Sequence, residues 1–202
     1  MVVFTGSMDW EANIDGVEYF CREVWPRIMA VLPEARFRIV GKDPHPRVRK
    51  LACESVEVTG TVPSVLEHLR EAAVFVVPLR IGGGTRLKIY EAMATGKAVV
   101  STSVGAEGLD VQHERDILLA DDPATFAEYV VRLLRDAEIR GHYESAAAER
   151  ARHYDWSVVT ERFAEVLRKT IASAAPAVLC SPQPRDEVSG ARPAAPKDVA
   201  LE

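Results

Sequence analysis

The chain has 202 residues, of which 48% are hydrophobic and 27% charged, and a net charge of −5. The length suits one domain with a sizeable core, and the acidic balance argues against general nucleic-acid binding, which leaves a basic footprint. No apolar run is long enough to span a bilayer, and no signal-peptide pattern follows Met1. Cys21, Cys53 and Cys180 are isolated, without a CxxC or a disulfide framework, and the five histidines have no metal-ligand spacing. The expectation is a cytoplasmic chain with no structural metal, no nucleic-acid partner and no transmembrane segment; peripheral attachment at the inner membrane is compatible with it.

Val2-Val3-Phe4-Thr5 reads as a strand that ends at Gly6. From Ile14 to Leu32 apolar residues recur at spacings of three and four, which predicts an amphipathic helix with Asn13 as N-cap and a kink at Pro26. Ala35 to Val40 is the second strand, closed by Gly41, and Pro44 to Cys53 a weaker helix. Val56 to Thr59 is the third strand, ending at Gly60; Pro63 to Glu71 reads as a helix with Pro63 in its first turn. Ala73 to Val77 is the fourth strand, Lys97 to Ser101 the fifth and Asp116 to Ala120 a short sixth. Helices are predicted from Asp122-Pro123 to about Asp136, then to about Arg152. Asp155 caps a last helix whose apolar face carries Trp156, Val159, Phe163, Val166 and Leu167.

Strands and helices alternate, and the strands are continuous apolar runs. The pattern predicts an α/β domain over residues 1–172: a doubly wound, Rossmann-like parallel sheet of about six strands with helices on both faces. From about residue 173 the chain turns rich in Pro and Ala without periodicity, which predicts a disordered tail to residue 202.

Ligands of such a sheet bind at the carboxyl ends of the strands. Each loop there holds a glycine; Gly41 and Gly60 serve equally as strand terminators or as ligand contacts. The triple glycine Gly82-Gly83-Gly84 carries more information. It lies between the fourth strand and a segment of helical periodicity beginning at Thr85, and a glycine turn feeding a helix start is an anion site. Arg80, Arg86 and Lys88 against Glu91 give this stretch a net charge of +2. It fits neither GxxxxGK[ST] nor GxGxxG, which disfavours P-loop hydrolysis and NAD binding. On a helical wheel Thr85, Lys88, Glu91, Ala92 and Thr95 share one arc, with Leu87, Tyr90 and Ala94 turned to the core. Lys88 and Glu91 are then either a surface ion pair or two halves of a nucleotide site, the lysine and glycine amides on a diphosphate and the glutamate on a ribose diol.

Gly82-Gly83-Gly84-Thr85-Arg86-Leu87-Lys88, followed by Glu91 to Thr102, resembles the C-terminal domain of GT-B glycosyltransferases of the group 1 retaining type, family 4. Phe4 to Trp10 with Asn13, Phe37 to Gly41, Val58 to Val62, Val104 to Leu109 and Tyr154-Asp155-Trp156 extend the resemblance over residues 2–170 in order. It implies one half of a GT-B fold that binds a nucleoside-diphosphate sugar as co-substrate, with no other cofactor. It matches Glu91 to the second glutamate of the family's E-x7-E motif, which holds the ribose. Gly83 stands where the first glutamate falls, leaving the amides of Gly83, Gly84 and Thr85 for the sugar. The loop from Met8 to Asp15 lacks the family's basic residues, so Arg86 and Lys88 are the candidates for the diphosphate. The donor-binding set is then Gly6, Gly60, Thr61, Val62, Gly82, Gly83, Gly84, Thr85, Arg86, Lys88 and Glu91, with base contacts from the Gly60-Thr61-Val62 backbone and no metal.

The resemblance also implies an incomplete active site. The chain opens at the first strand of the family's second domain, so catalytic and acceptor residues would come from a separate N-terminal domain or chain. The contrasting expectation is a non-catalytic GT-B half kept for protein interaction.

Overall fold

The computed structural model describes residues 1–173, so the predicted disordered tail lies, apart from its first residue, outside the described residues. Six short strands form one parallel sheet: β1 (Val2–Thr5), β2 (Phe37–Val40), β3 (Val56–Val58), β4 (Val74–Val77), β5 (Ala98–Ser101) and β6 (Leu118–Leu119). Every residue of β1, β4 and β5 is buried. Side chains alternate between the two faces of a strand, so burial at each position requires cover on both. This is the doubly wound arrangement expected from the continuous apolar runs.

The strand order is β3-β2-β1-β4-β5-β6. Order reverses between β1 and β4, whose registers pair Val2 with Val74 and Val3 with Phe75. The chain therefore leaves both central strands, after Thr5 and after Val77, at the same edge of the sheet, and the crevice between those exits is where an α/β sheet takes its ligand.

The first long helical stretch differs from its expectation. α1 (Glu11–Tyr19) passes into a π-helical segment, Phe20–Val24, and then into α2 (Trp25–Val31). Pro26 sits in the first turn of α2, where a missing N–H costs nothing, and the ladder is disturbed one turn earlier by the wider π segment. The N-cap is Trp10; Asn13 lies inside the helix, and its side chain is free for other partners. Phe20 of the π segment packs on Phe37 with ring centroids 4.6 Å apart and on Phe126 at 5.8 Å, joining the helices to the sheet. The Trp25 indole, in the same cluster, donates to Ser55 Oγ at 3.0 Å, which satisfies its buried N–H.

α3 shrinks to Pro46–Arg49, and α4 is Val65–Glu71, with Pro63 outside it and Ser64 at the cap. α5 is Leu87–Ala94, α6 Pro123–Arg135, α7 Ala137–Arg152 and α8 Trp156–Ser173. Asp122 and Asp136 cap α6 and α7 by accepting from two amides each, and Asp155 accepts from the amide of Ser157 at 2.8 Å. The described residues fall into a unit Met1–Arg162 and another that begins at Phe163, within α8. Trp156 and Val159, of the apolar face read from the sequence, are exposed in the first unit. No helix of the described residues is long and apolar enough to cross a membrane.

Candidate functional site

The loops leaving β1 and β2 are tied together. Gly6 N–H donates to Val40 O at 3.0 Å, Met8 N–H to Lys42 O at 2.9 Å, and His45 N–H to Met8 O at 3.0 Å. Gly41 lies so close to the Gly6 carbonyl that a Cβ there would stand 1.6 Å from its oxygen, so the approach of the two loops requires glycine at 41. Next to this junction opens a cleft of about 760 Å³ whose exposed surface is mainly apolar. Gly6 and Ser7 line it from the β1 loop, Lys42 from the β2 loop, Thr61 and Val62 from the β3 loop, Leu66 from α4, and Lys88 and Glu91 from α5.

Lys88 is the central group. Its Nζ donates to Asn13 Oδ1 at 2.8 Å and lies 4.3 Å from the centre of the Phe4 ring. Desolvation pushes its pKa down to about 7, Arg86 adding to the fall and Glu91 opposing it. Glu91, three residues on, forms no ion pair with Lys88. It is exposed and lines the cleft, and among the described residues its carboxylate makes no hydrogen bond or ion pair, its charge acting on Lys88 only at longer range. The surface ion pair is thus corrected, because the lysine stem turns inward to Asn13. What remains is a desolvated amine and a free carboxylate one helical turn apart.

The glycine turn has a different structure from the one expected. The helix begins at Leu87 and not at Thr85, because Gly82 (φ 119°) and Gly84 (φ 91°) take left-handed conformations closed to other residues without strain. Gly83 has an ordinary φ, and a Cβ there would touch nothing within 4 Å. The guanidinium of Arg86, buried at 7% exposure, donates to Gly82 O at 2.8 Å, Gly83 O at 3.1 Å and Val104 O at 3.3 Å. Its assignment to a diphosphate is therefore corrected: the side chain folds back to close the turn and fasten it to the loop after β5. Its Nε is buried without a partner. The wheel also needs correction. Ile89, Ala92 and Met93 face the core, Leu87 and Ala94 are exposed, and Tyr90 is half-buried, stacked on Tyr154 with centroids 4.1 Å apart.

Of the expected set, the cleft gathers Gly6, Thr61, Val62, Lys88 and Glu91. Gly60, at φ 71°, shapes the β3 loop beside it; Gly82, Gly83, Gly84 and Thr85 form an exposed turn at the start of α5. Thr85 borders a separate groove of about 980 Å³ lined by Leu87 and Tyr90 of α5 and Trp156 of α8. Asn13, Lys42 and Leu66 are site residues that the sequence reading did not assign. Lys42 carried a signal in its place just after a strand end, and Asn13 in the stretch that carries the family resemblance. Among the described residues no cluster of three or more His, Cys, Asp or Glu offers a metal site.

This fold and cleft have counterparts. The family model described as glycosyl transferases group 1 matches residues 1–136, and the chain belongs to that family. Over 159 residues it is 31% identical to a phosphatidyl-myo-inositol mannosyltransferase of Mycobacterium leprae, which covers 73% of this chain and 41% of the relative. The C-terminal domain of the group 1 glycosyl transferase LpcC of Francisella tularensis superposes with a TM-score of 0.60 at 17% identity, covering 74% of this chain and 83% of that one. Anabaena HepE, solved with UDP and glucose, superposes with a TM-score of 0.65 at 19% identity, covering 86% of this chain and 48% of that one. The fold is one half of a GT-B glycosyltransferase, and the chain spans less than half the length of the curated relatives it matches.

Proposed function

We propose that the cleft binds the nucleoside-diphosphate portion of a sugar donor, and that the chain is the donor half of a retaining glycosyltransferase. The observation that carries the proposal is the pair Lys88 and Glu91: a desolvated amine that lacks an anion and an unpartnered carboxylate on the next turn, both lining the cleft at the strand-order reversal. A diphosphate supplies the anion for Lys88. The two oxygens of Glu91 suit a ribose diol, and Val62 and Leu66 offer apolar surface to a base. The UDP and glucose held by Anabaena HepE support this ligand class.

In transfer, the bond from the anomeric carbon to the diphosphate oxygen breaks, and negative charge collects on the departing nucleoside diphosphate. An acceptor hydroxyl bonds to the anomeric carbon and gives up its proton to the departing diphosphate. Lys88 in its ammonium form is the group of this cleft that would stabilise that charge. The remainder of a full-length enzyme would supply the acceptor contacts. A thermal-shift panel of UDP-, GDP- and ADP-sugars tests the proposal: at least one is expected to raise the melting temperature of the wild type and not of Lys88→Ala. A folded wild type that no nucleotide sugar shifts would overturn it.

A further inference from the structure

We infer that Asn13 is a positioning residue of this site, its side-chain carbonyl holding the Lys88 amine in the cleft beside Gly6 and Phe4. The inference rests on the donor-binding reading and deepens it. Asn13 is buried in the first turn of α1, and both ends of its amide are used. Nδ2 donates to Ser7 O at 2.8 Å, and Oδ1 accepts from Lys88 Nζ at 2.8 Å. These partners fix the orientation of the amide, since the reverse would set its NH2 against an ammonium and its oxygen against a carbonyl.

The packing is close. A Cβ at Gly6 would lie 2.7 Å from Asn13 Nδ2 and 3.0 Å from Lys88 Nζ, so Gly6 leaves the space in which the two side chains meet. A lysine stem has four rotatable bonds and much rotamer entropy to lose. Among the described residues, Asn13 Oδ1 is the hydrogen-bond acceptor that limits it.

The choice of an uncharged acceptor has a chemical consequence. The charged groups acting on Lys88 are Arg86 and Glu91 of its own segment, and Lys42 lines the same cleft. β1, its loop and α1 bring Phe4, Gly6 and Asn13 against it, all uncharged. Asn13 therefore orients the amine without neutralising it and leaves the anionic position to the ligand. An aspartate there would hold the amine equally well but compete with a diphosphate for its charge.

The test is calorimetric titration of the chain with UDP and GDP across about pH 6.5 to 9, in buffers of different ionisation enthalpy, with melting curves to confirm folding. Wild-type affinity is expected to fall as pH rises above about 7, with uptake of a proton on binding. In Asn13→Asp the proton uptake disappears, the fall moves to higher pH, and affinity near neutrality drops roughly tenfold. In Asn13→Ser, which cannot reach both partners, affinity drops by a similar factor and the fall begins at lower pH. If either variant folds and keeps wild-type affinity and pH profile, Asn13 has no positioning role, while the donor-binding reading stands. If the wild type binds neither UDP nor GDP and no nucleotide sugar raises its melting temperature, both ideas fail.

Discussion

Lys88 is placed where its charged form is disfavoured until an anion arrives. Desolvation lowers its pKa from 10.5 to about 7 in the folded chain, so between those values the unfolded chain binds more protons than the folded one. The destabilisation is complete below about pH 7 and disappears as pH rises toward 10.5. Lys88→Met removes the titration, at the cost of an unpartnered Asn13 oxygen that does not vary with pH. Denaturant unfolding of the two proteins should show the stability of wild type gaining on Lys88→Met as pH climbs through this window, by at most about 1.4 kcal/mol per pH unit; a constant difference would contradict the desolvated state. Neighbouring glycines give a steric prediction. Gly41→Ala sets a methyl against the backbone of Gly6, which neither loop can relieve, and should cost about 3 kcal/mol or more in urea unfolding. Gly6→Ala meets only the ends of two side chains, so it should cost less stability and show mainly as weaker nucleotide binding.

At the scale of elements, the turn between β4 and α5 is built by Arg86 and two left-handed glycines. Arg86→Lys cannot reproduce a fork reaching three carbonyls and should lose about 1–3 kcal/mol, with faster amide exchange over residues 82–86. Gly84→Ala should lose about 1–2 kcal/mol through its φ of 91°. Gly83→Ala, with open space around it, should be neutral or gain up to about 1 kcal/mol; equal effects at 83 and 84 would refute this picture of the turn. The position of this element was legible in the sequence, because a buried strand, three glycines and an apolar periodicity are local signals. The identity of its free cation was not. Arg86 and Lys88 look alike in a charge count, and only tertiary packing turns one to carbonyls of its own turn and the other toward α1. The same limit explains Asn13, which has the composition of an N-cap and is drawn one turn further into the helix by its partners at Ser7 and Lys88. The wheel failed for a related reason: it fixes which residues share a face but not which face packs inward, and tertiary packing buries the Ile89, Ala92 and Met93 face.

For the whole molecule, continuous apolar strands alternating with helices made the parallel sheet readable, since strands covered on both faces need apolar residues throughout. Strand order was not readable from periodicity; the place of the site came from the general rule that ligands sit at the carboxyl ends of strands, and the reversal between β1 and β4 now fixes which ends matter. The chain matches less than half of its curated relatives' length, and the proposed function leaves the acceptor contacts to the remainder of a full-length enzyme. Sugar transfer by these 202 residues alone is therefore expected to be undetectable, even with donor bound. A radiolabelled donor assay finding transfer to any acceptor would show that one half suffices.

The central claim, that Lys88 and Glu91 make this cleft a nucleoside-diphosphate site, is tested most directly by isothermal titration of UDP and GDP into wild type, Lys88→Ala and Glu91→Ala at neutral pH. The account predicts one-to-one binding of at least one nucleotide by wild type, weakened roughly tenfold or more in each variant while all three melt cooperatively. Folded wild type that binds neither nucleotide and that no nucleotide sugar stabilises, or variants that bind as wild type does, would contradict it.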